Sequence, residues 1–152
     1  TAPTFYNMAT IGELNDIWQK LDIYKVIGEI IVENKDLIVD LNKEQLLDGF
    51  NADGNRLQSY RNKYYARRKF KQNPKPGEGN PDLFLTGRFF EGFKLELSGD
   101  RSFDLFSIDS KYKELTAKYP GVFGLRITKK QELQDAGFTA DIQKNLKKEV
   151  KL

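Results

Sequence analysis

The stretch PDLFLTGRFFEGFKLELSGDRSFDLF, residues 81–106, is a dense apolar run that the sequence TGR interrupts at residues 86–88. After the interruption, apolar and polar residues alternate over residues 93–97, and they alternate again from Phe103, after a Ser-Gly-Asp-Arg turn. Alternation with a period of two is typical of strands with one buried face. The stretch therefore predicts an antiparallel hairpin that follows a break in the chain.

The break at Thr86 and Gly87 has two interpretations, a catalytic loop or a bend that leads into the hairpin. We interpret it as a bend, in which Thr86 caps a single helical turn and Gly87 permits a close backbone approach. The turn then directs Arg88 and Glu91 outward, while the neighbouring aromatic residues pack in the core. The residues of this structural bend are Thr86, Gly87, Phe89 and Phe90.

The beginning of the chain has a helical pattern. Apolar residues recur there at spacings of three, four and seven, which predicts one long amphipathic helix over about residues 11–39. The pattern is less regular near Ile23, and this is the position at which a break in the helix fits the sequence best. Thr10 and Glu13 have the spacing of a capping box, so we expect the helix to begin after Thr10.

Later segments predict shorter helices. The sequence KEQLLDG, residues 43–49, is expected to form a short helix that ends at its glycine. In LQSYRNKYYARRKF, residues 57–70, the spacing of aromatic residues favours a helix, although the aromatic content also fits a strand. Another helix is expected over residues 110–119, before a Pro-Gly pair. Two further helices complete the chain. The predicted N-caps of KEQLLDG and of these last two helices are Asn42, Thr128 and Thr139.

The clearest loop spans residues 72–82, which contain three prolines and two glycines. We expect this loop to be irregular and mobile. Residues 1–9 are interpreted as an extended N-terminal arm, and residues 10–152 as a single domain. The predicted fold class is α+β, with a long N-terminal amphipathic helix, a central antiparallel hairpin and C-terminal helices.

The composition excludes several kinds of chemistry, because the 152 residues include no cysteine and no histidine. Ser-His-Asp and Cys-His catalysis, disulfides and zinc sites built from these residues are therefore ruled out. The acidic residues Asp100, Asp104 and Asp109 lack the spacing of a calcium loop, and the pair Asp104 and Glu114 has no distinguishing spacing. We predict no catalytic residue, no metal, no cofactor and no small-molecule substrate.

The segment from Arg61 to Pro76 carries seven basic residues and no acidic one. Basic residues beside tyrosines could contact nucleic acid, through phosphates and base stacking. The interpretation that we favour for this segment is a solvated helix face or a face toward another subunit. The candidate contact residues are Arg61, Lys63, Arg67, Arg68, Lys69 and Lys71. Acidic partners on a neighbouring subunit would be Glu29, Glu33, Asp36 and Asp40.

Four sequence blocks form a familiar set, over roughly residues 41–135. They are LNKEQLLDGFNADGNRL (residues 41–57), Tyr60 with YYARRK (residues 64–69), PDLFLTGRFFEGFKLEL (residues 81–97) and KYPGVFGLRITKKQEL (residues 118–133). In this order, they resemble small structural proteins of tailed phages and prophages of Bacteroidetes, including crAss-like phages. Members of that family are regarded as virion morphogenesis proteins or tail-completion-like proteins.

The resemblance implies a non-enzymatic component of the virion neck or tail, made in the cytoplasm of the bacterial host. It implies a homo-oligomeric ring that joins head and tail and contacts the portal and other neck or tail proteins. The alternative is a basic, genome-associated virion protein with non-specific DNA contacts. No apolar run reaches the roughly 18 residues of a membrane span, so no membrane partner is expected.

Overall fold

The computed structural model describes residues 10–99 and 102–150, and within them helices surround one two-stranded antiparallel sheet. The predicted α+β class is confirmed. The predicted arm over residues 1–9 lies outside the described residues. The helices are α1 (Ile11–Lys20), α2 (Ile23–Glu33), α3 (Lys35–Leu47), α4 (Lys63–Gln72), α5 (Arg88–Glu91), α6 (Tyr112–Lys118), α7 (Ile127–Asp135) and α8 (Phe138–Val150), and the strands are β1 (Phe93–Leu97) and β2 (Phe103–Ser107).

The predicted single helix over residues 11–39 is wrong, because α1, α2 and α3 share this part of the chain. The first break lies at Asp22, next to the irregular position near Ile23. The Asp22 carboxylate accepts a hydrogen bond from the backbone N–H of Lys25 at 3.0 Å and so begins a new helix. The capping box of Thr10 and Glu13 at the start of α1 is confirmed.

The second break lies at Asn34, between α2 and α3. The Asn34 side chain donates to the carbonyl of Ile30 at 2.9 Å. An asparagine that bonds to the backbone in this way competes with helix propagation. The apolar spacing continues across the break, which is why the periodicity alone does not reveal it.

The predicted cap at Asn42 is also wrong, because α3 continues through this position to Leu47. KEQLLDG is therefore the end of α3 rather than a separate helix, although Gly49 follows its end with a left-handed φ of 83°. Asn42 is fully buried, and its amide donates to the carbonyl of Val122 at 2.9 Å. A tertiary partner eighty residues away thus replaces the local capping role.

Thr128 and Thr139 were predicted as caps, yet both lie inside the first turn of their helices. For α7, the physical reason is tertiary. The backbone N–H of Arg126 donates to the side-chain oxygen of Gln45 at 3.0 Å, which satisfies this amide and holds Arg126 in the extended conformation of a cap residue. The helix consequently begins one residue before Thr128.

The hairpin is confirmed, with Phe93 opposite Ser107 and Leu95 opposite Leu105. Leu95 and Leu105 contact both hydrophobic clusters of the domain. The first cluster contains Val39, Leu46, Leu57, Phe89, Phe90, Phe93, Tyr119 and Val122. The second contains Ile31, Ile38, Leu41, Leu125 and Leu133. The hairpin therefore joins the two parts of the core.

The break before the hairpin is a structural bend, as predicted. Gly87 has a φ of 87°, a left-handed conformation that costs a glycine little, and it precedes the single turn α5. Phe89 and Phe90 are buried, whereas Arg88 and Glu91 are exposed. The predicted cap at Thr86 is wrong, because Gly87 occupies the cap position and no side chain caps α5.

The proline-rich loop is irregular beyond Gln72, where α4 ends, but it is firmly packed. Pro76 and Pro81 are fully buried, and Asp82 is buried as well. The guanidinium of Arg56 donates to the carbonyl of Pro76. The loop therefore contributes Pro76, Pro81 and Asp82 to the buried interior.

Two other glycines, outside this loop, offer a matched test of how closely the backbone approaches its neighbours. A Cβ at Gly92 would lie 2.6 Å from Ser107 Oγ and 3.0 Å from the backbone nitrogen of Asp109, so we expect Gly92→Ala to destabilise the fold by about 1–3 kcal/mol. A Cβ at Gly28 would lie 3.6 Å from Leu97, an ordinary contact, and Gly28→Ala should stabilise α2 by about 0.8–1 kcal/mol. Urea unfolding of both variants measures the two opposite changes, and equal changes would contradict the close approach at Gly92.

Candidate interaction surfaces

The basic segment forms the exposed side of α4. Asn62 begins this helix by accepting hydrogen bonds from the backbone N–H groups of Tyr64 and Tyr65 at 2.9 and 3.0 Å. Tyr64 is 83% exposed, and it is the aromatic centre of the surface. We call this surface the basic face; it consists of Tyr64 with Arg61, Lys63, Arg67, Arg68 and Lys71, all of them exposed.

Two contacts organise the basic face. Arg67 Nε lies 3.5 Å from the Glu78 carboxylate, in a pair whose side chains are 73% and 59% exposed. The guanidinium of Arg68 stacks over the ring of Tyr65 at 5.1 Å from its centroid. Exposed pairs of this kind contribute little to stability, so these cations remain available to a partner.

Lys69 does not belong to the basic face, although it was predicted as a contact residue with the others. Its side chain is buried, with Nζ 2.9 Å from the Asp82 carboxylate and in hydrogen-bond contact with the carbonyl of Phe84. Ala66, one turn earlier, is buried on the same side of α4. Lys69 therefore holds α4 to the loop and is unavailable to an external partner.

Asp82 is the centre of this internal polar cluster. Its carboxylate also accepts hydrogen bonds from the side-chain amide of Asn73 and the backbone N–H of Phe84, both at 3.1 Å. Nearby, burial raises the pKa of Tyr60, and the negative charge of Asp82 raises it further. The cluster thus connects α4, the loop and the start of the bend, and its charges are satisfied internally.

A second surface is a groove of about 610 Å³ between α2 and the end of β1. We call it the acidic groove; it is lined by Asp22, Tyr24, Glu29, Val32, Glu33 and Leu97. Gly28 and Lys25 also line it, and Lys25 Nζ lies 3.9 Å from the Glu29 carboxylate. The groove therefore combines an apolar floor with an acidic rim.

The four acidic residues proposed as partners of the basic segment do not share one helix. Glu29 and Glu33 belong to α2 and border the groove, whereas Asp36 and Asp40 belong to α3. All four are exposed, and Asp40 lies 3.6 Å from Lys43. The pair on α2 therefore lies beside the apolar side chains of the groove.

The sequence blocks come together in pairs inside the fold. The first block contacts the fourth: Gln45 donates to the carbonyl of Gly124 at 2.5 Å, and the backbone N–H of Ala52 donates to Gly121 at 2.8 Å. The second block contacts the third through Lys69 and Asp82. These motif residues therefore make structural contacts that join the blocks in the fold.

Two features of these surfaces were missed by sequence reasoning. Gly28, in the middle of an apolar helical pattern, leaves the space beside Leu97 that becomes the groove. Tyr64 was counted among the aromatic residues of a helical pattern and is instead largely exposed. A glycine inside a helical pattern could have indicated the groove, since such a glycine often lies where packing or function requires a small residue.

Within residues 10–99 and 102–150, no group of three or more acidic side chains is placed to hold a metal ion. Asp109 accepts a hydrogen bond from the backbone N–H of Lys111 at 2.8 Å, in the turn before α6, and Asp100 lies outside the described residues. None of the described helices is both long and apolar enough to cross a membrane.

Comparisons of the chain with protein-family models, curated proteins and solved structures found no match. The resemblance to phage structural proteins therefore stays a prediction from the four sequence blocks.

Proposed function

We propose that this chain is a structural protein of a tailed-phage virion, a ring-forming head–tail connector or tail-completion component that acts through protein–protein contacts. The observation that carries the proposal is the separation of charge between two surfaces. The basic face is mainly positive and the acidic groove is mainly negative, and each also has exposed apolar or aromatic side chains. Surfaces of this composition favour association with an oppositely charged partner.

The position of these surfaces supports a ring. The acidic groove lies on α2 and β1, whereas the basic face lies on α4, which packs against the loop that follows it. Because the two surfaces involve different elements, contact between copies would join one patch to a different patch on its neighbour. Such heterologous contacts generate rings when the rotation closes.

The resemblance of the sequence blocks to virion morphogenesis proteins is the reason for proposing a location in the neck or tail, with the portal among the partners. The protein would be made in the cytoplasm of the bacterial host and incorporated during assembly.

Cryo-EM of particles of the phage that encodes this chain tests the proposal. We expect density that fits the hairpin and its surrounding helices, repeated around the axis between head and tail. Mass spectrometry of purified particles should detect the chain in a fixed ratio to the portal. Particles that lack the chain would contradict the proposal.

The basic face favours one alternative, a DNA-binding or genome-associated virion protein. That alternative expects salt-dependent DNA retention that Arg67→Gln, Arg68→Gln and Lys71→Gln together abolish, with Lys71 chosen because Lys69 is buried. The matched control changes three exposed lysines of α6 and α7 to glutamine. They are Lys113, Lys118 and Lys130. On our proposal, both triple variants weaken DNA retention equally, whereas selective loss in the first variant would favour the alternative.

A further inference from the structure

We propose that the basic face of one copy docks in the acidic groove of the next copy, with Tyr64 inserted against the apolar floor. This inference rests on the proposed function only in that it specifies the contact between copies of the chain. The occupant of the groove is therefore a second copy of this protein, through its α4 helix.

The first argument is charge. The groove is lined by three acids, Asp22, Glu29 and Glu33, and by one lysine, Lys25, which gives a net charge of −2 (three negative charges minus one positive). The basic face carries five cations and is accompanied by one acid, Glu78, at Arg67. Opposite potentials of this size attract two surfaces and fix their register.

The second argument is the apolar content at the centre of each surface. Tyr64 is 83% exposed, although it is surrounded by cations. Val32 and Leu97 on the groove floor are 45% and 46% exposed, in a depression of about 610 Å³ that exceeds the volume of one side chain. A tyrosine in such a site buries its ring and keeps its hydroxyl near the polar rim, the arrangement that makes tyrosine frequent at interfaces.

The third argument is the spacing along α4. Arg67, Arg68 and Lys71 follow Tyr64 by three, four and seven residues, and the four therefore lie along one side of the helix. The buried positions Ala66 and Lys69 lie on another side, against the loop. The tyrosine and the cations can thus enter a single groove together without disturbing the internal contacts of α4.

Charge reversal tests the contact. One variant carries Glu29→Lys and Glu33→Lys in the groove, and the other carries Lys63→Glu and Lys71→Glu on the basic face, which leaves the contacts of Arg67 and Arg68 intact. By sedimentation velocity at low salt, we expect each variant alone to self-associate at least roughly tenfold more weakly than the wild-type chain.

An equimolar mixture of the two variants should recover association, because the unaltered basic face of the groove variant meets the unaltered acidic groove of the face variant. The recovery also shows that both variants are folded. A control with Lys113→Glu and Lys130→Glu, on α6 and α7, should leave association unchanged. Tyr64→Ser should weaken association by roughly tenfold, since it removes the central aromatic group.

The inference is overturned if the wild-type chain remains monomeric across the micromolar range, or if the mixture fails to recover association. It is also overturned if the basic-face variants lose DNA retention while self-association is unchanged. A ring in particles that tolerates both reversals would contradict this contact and leave the proposed function standing. If the mixture recovers association but the chain is absent from particles, the contact between copies stands and the proposed function is contradicted.

Discussion

Replacement of Asp82 by alanine is expected to lower the free energy of unfolding by about 3–5 kcal/mol, because it leaves the Lys69 ammonium buried without its counter-charge. The side chains of this pair are only 6% and 3% exposed, with Nζ and the carboxylate 2.9 Å apart. The variant also removes the acceptor of Asn73 and of the Phe84 backbone. Urea unfolding followed by circular dichroism measures the loss.

The matched control is the exposed pair of Arg67 and Glu78, which lies on the same helix and loop. Glu78→Ala should change stability by no more than about 1 kcal/mol, since solvent screens exposed pairs. The double variant Lys69→Met with Asp82→Asn should be more stable than the sum of its single losses predicts, because it removes both charges together. Equal losses for Asp82→Ala and Glu78→Ala would show that the internal pair is not important for the fold.

Replacement of Gln45 by leucine is expected to cost about 2–5 kcal/mol, although the side chains are similar in size. Gln45 is fully buried, donates to the carbonyl of Gly124 and accepts from the backbone N–H of Arg126. Leucine would leave both partly buried backbone groups without a partner, and each such group costs up to about 1–3 kcal/mol. Thermal and urea unfolding should both report the loss.

Gln131 provides the comparison, because it is an exposed glutamine of α7 that bonds to Asp135 at 2.9 Å. Gln131→Leu should stay within about 0.5 kcal/mol of the wild-type chain. A large loss at Gln131 together with a small one at Gln45 would contradict the role assigned to the buried amide. It would mean that the loop after Tyr119 is held by other contacts.

The parts of the fold that the sequence predicted correctly depend on local physics. The capping box of Thr10 and Glu13 requires only neighbours three residues apart, and it is present. The alternation in residues 93–97 and the turn after them determine the register of the hairpin, with Leu95 opposite Leu105. Both signals lie within a few residues of the structure that they describe.

The incorrect predictions depend on distant partners. Asn42 has the residue type of a cap, but the carbonyl of Val122 recruits its amide into the core. Lys69 resembles its basic neighbours in sequence, and only the position of Asp82, thirteen residues later, makes it an internal group. Residue type and spacing do not encode such contacts, because they arise when the chain has already folded back on itself.

The candidate surfaces also divide into features that the local sequence predicts and features that depend on tertiary contacts. Sequence reasoning identified the cations of the basic face and the acids of α2, since charge is visible in composition. It placed Glu33 and Asp40 on one helix, because the break at Asn34 depends on a side-chain bond to Ile30. The groove itself requires β1 to lie beside Gly28, which is a tertiary arrangement.

The pairing of α3 with the segment after Tyr119 has a consequence for synthesis on the ribosome. Asn42 and Gln45 reach partners that lie 79 to 81 residues further along the chain. A nascent chain emerges from its N-terminus, so these amides have no partner until the chain has lengthened by 79 to 81 residues. Completion of the fold is thereby postponed until residue 126 has left the exit tunnel, and chaperones have that interval in which to bind.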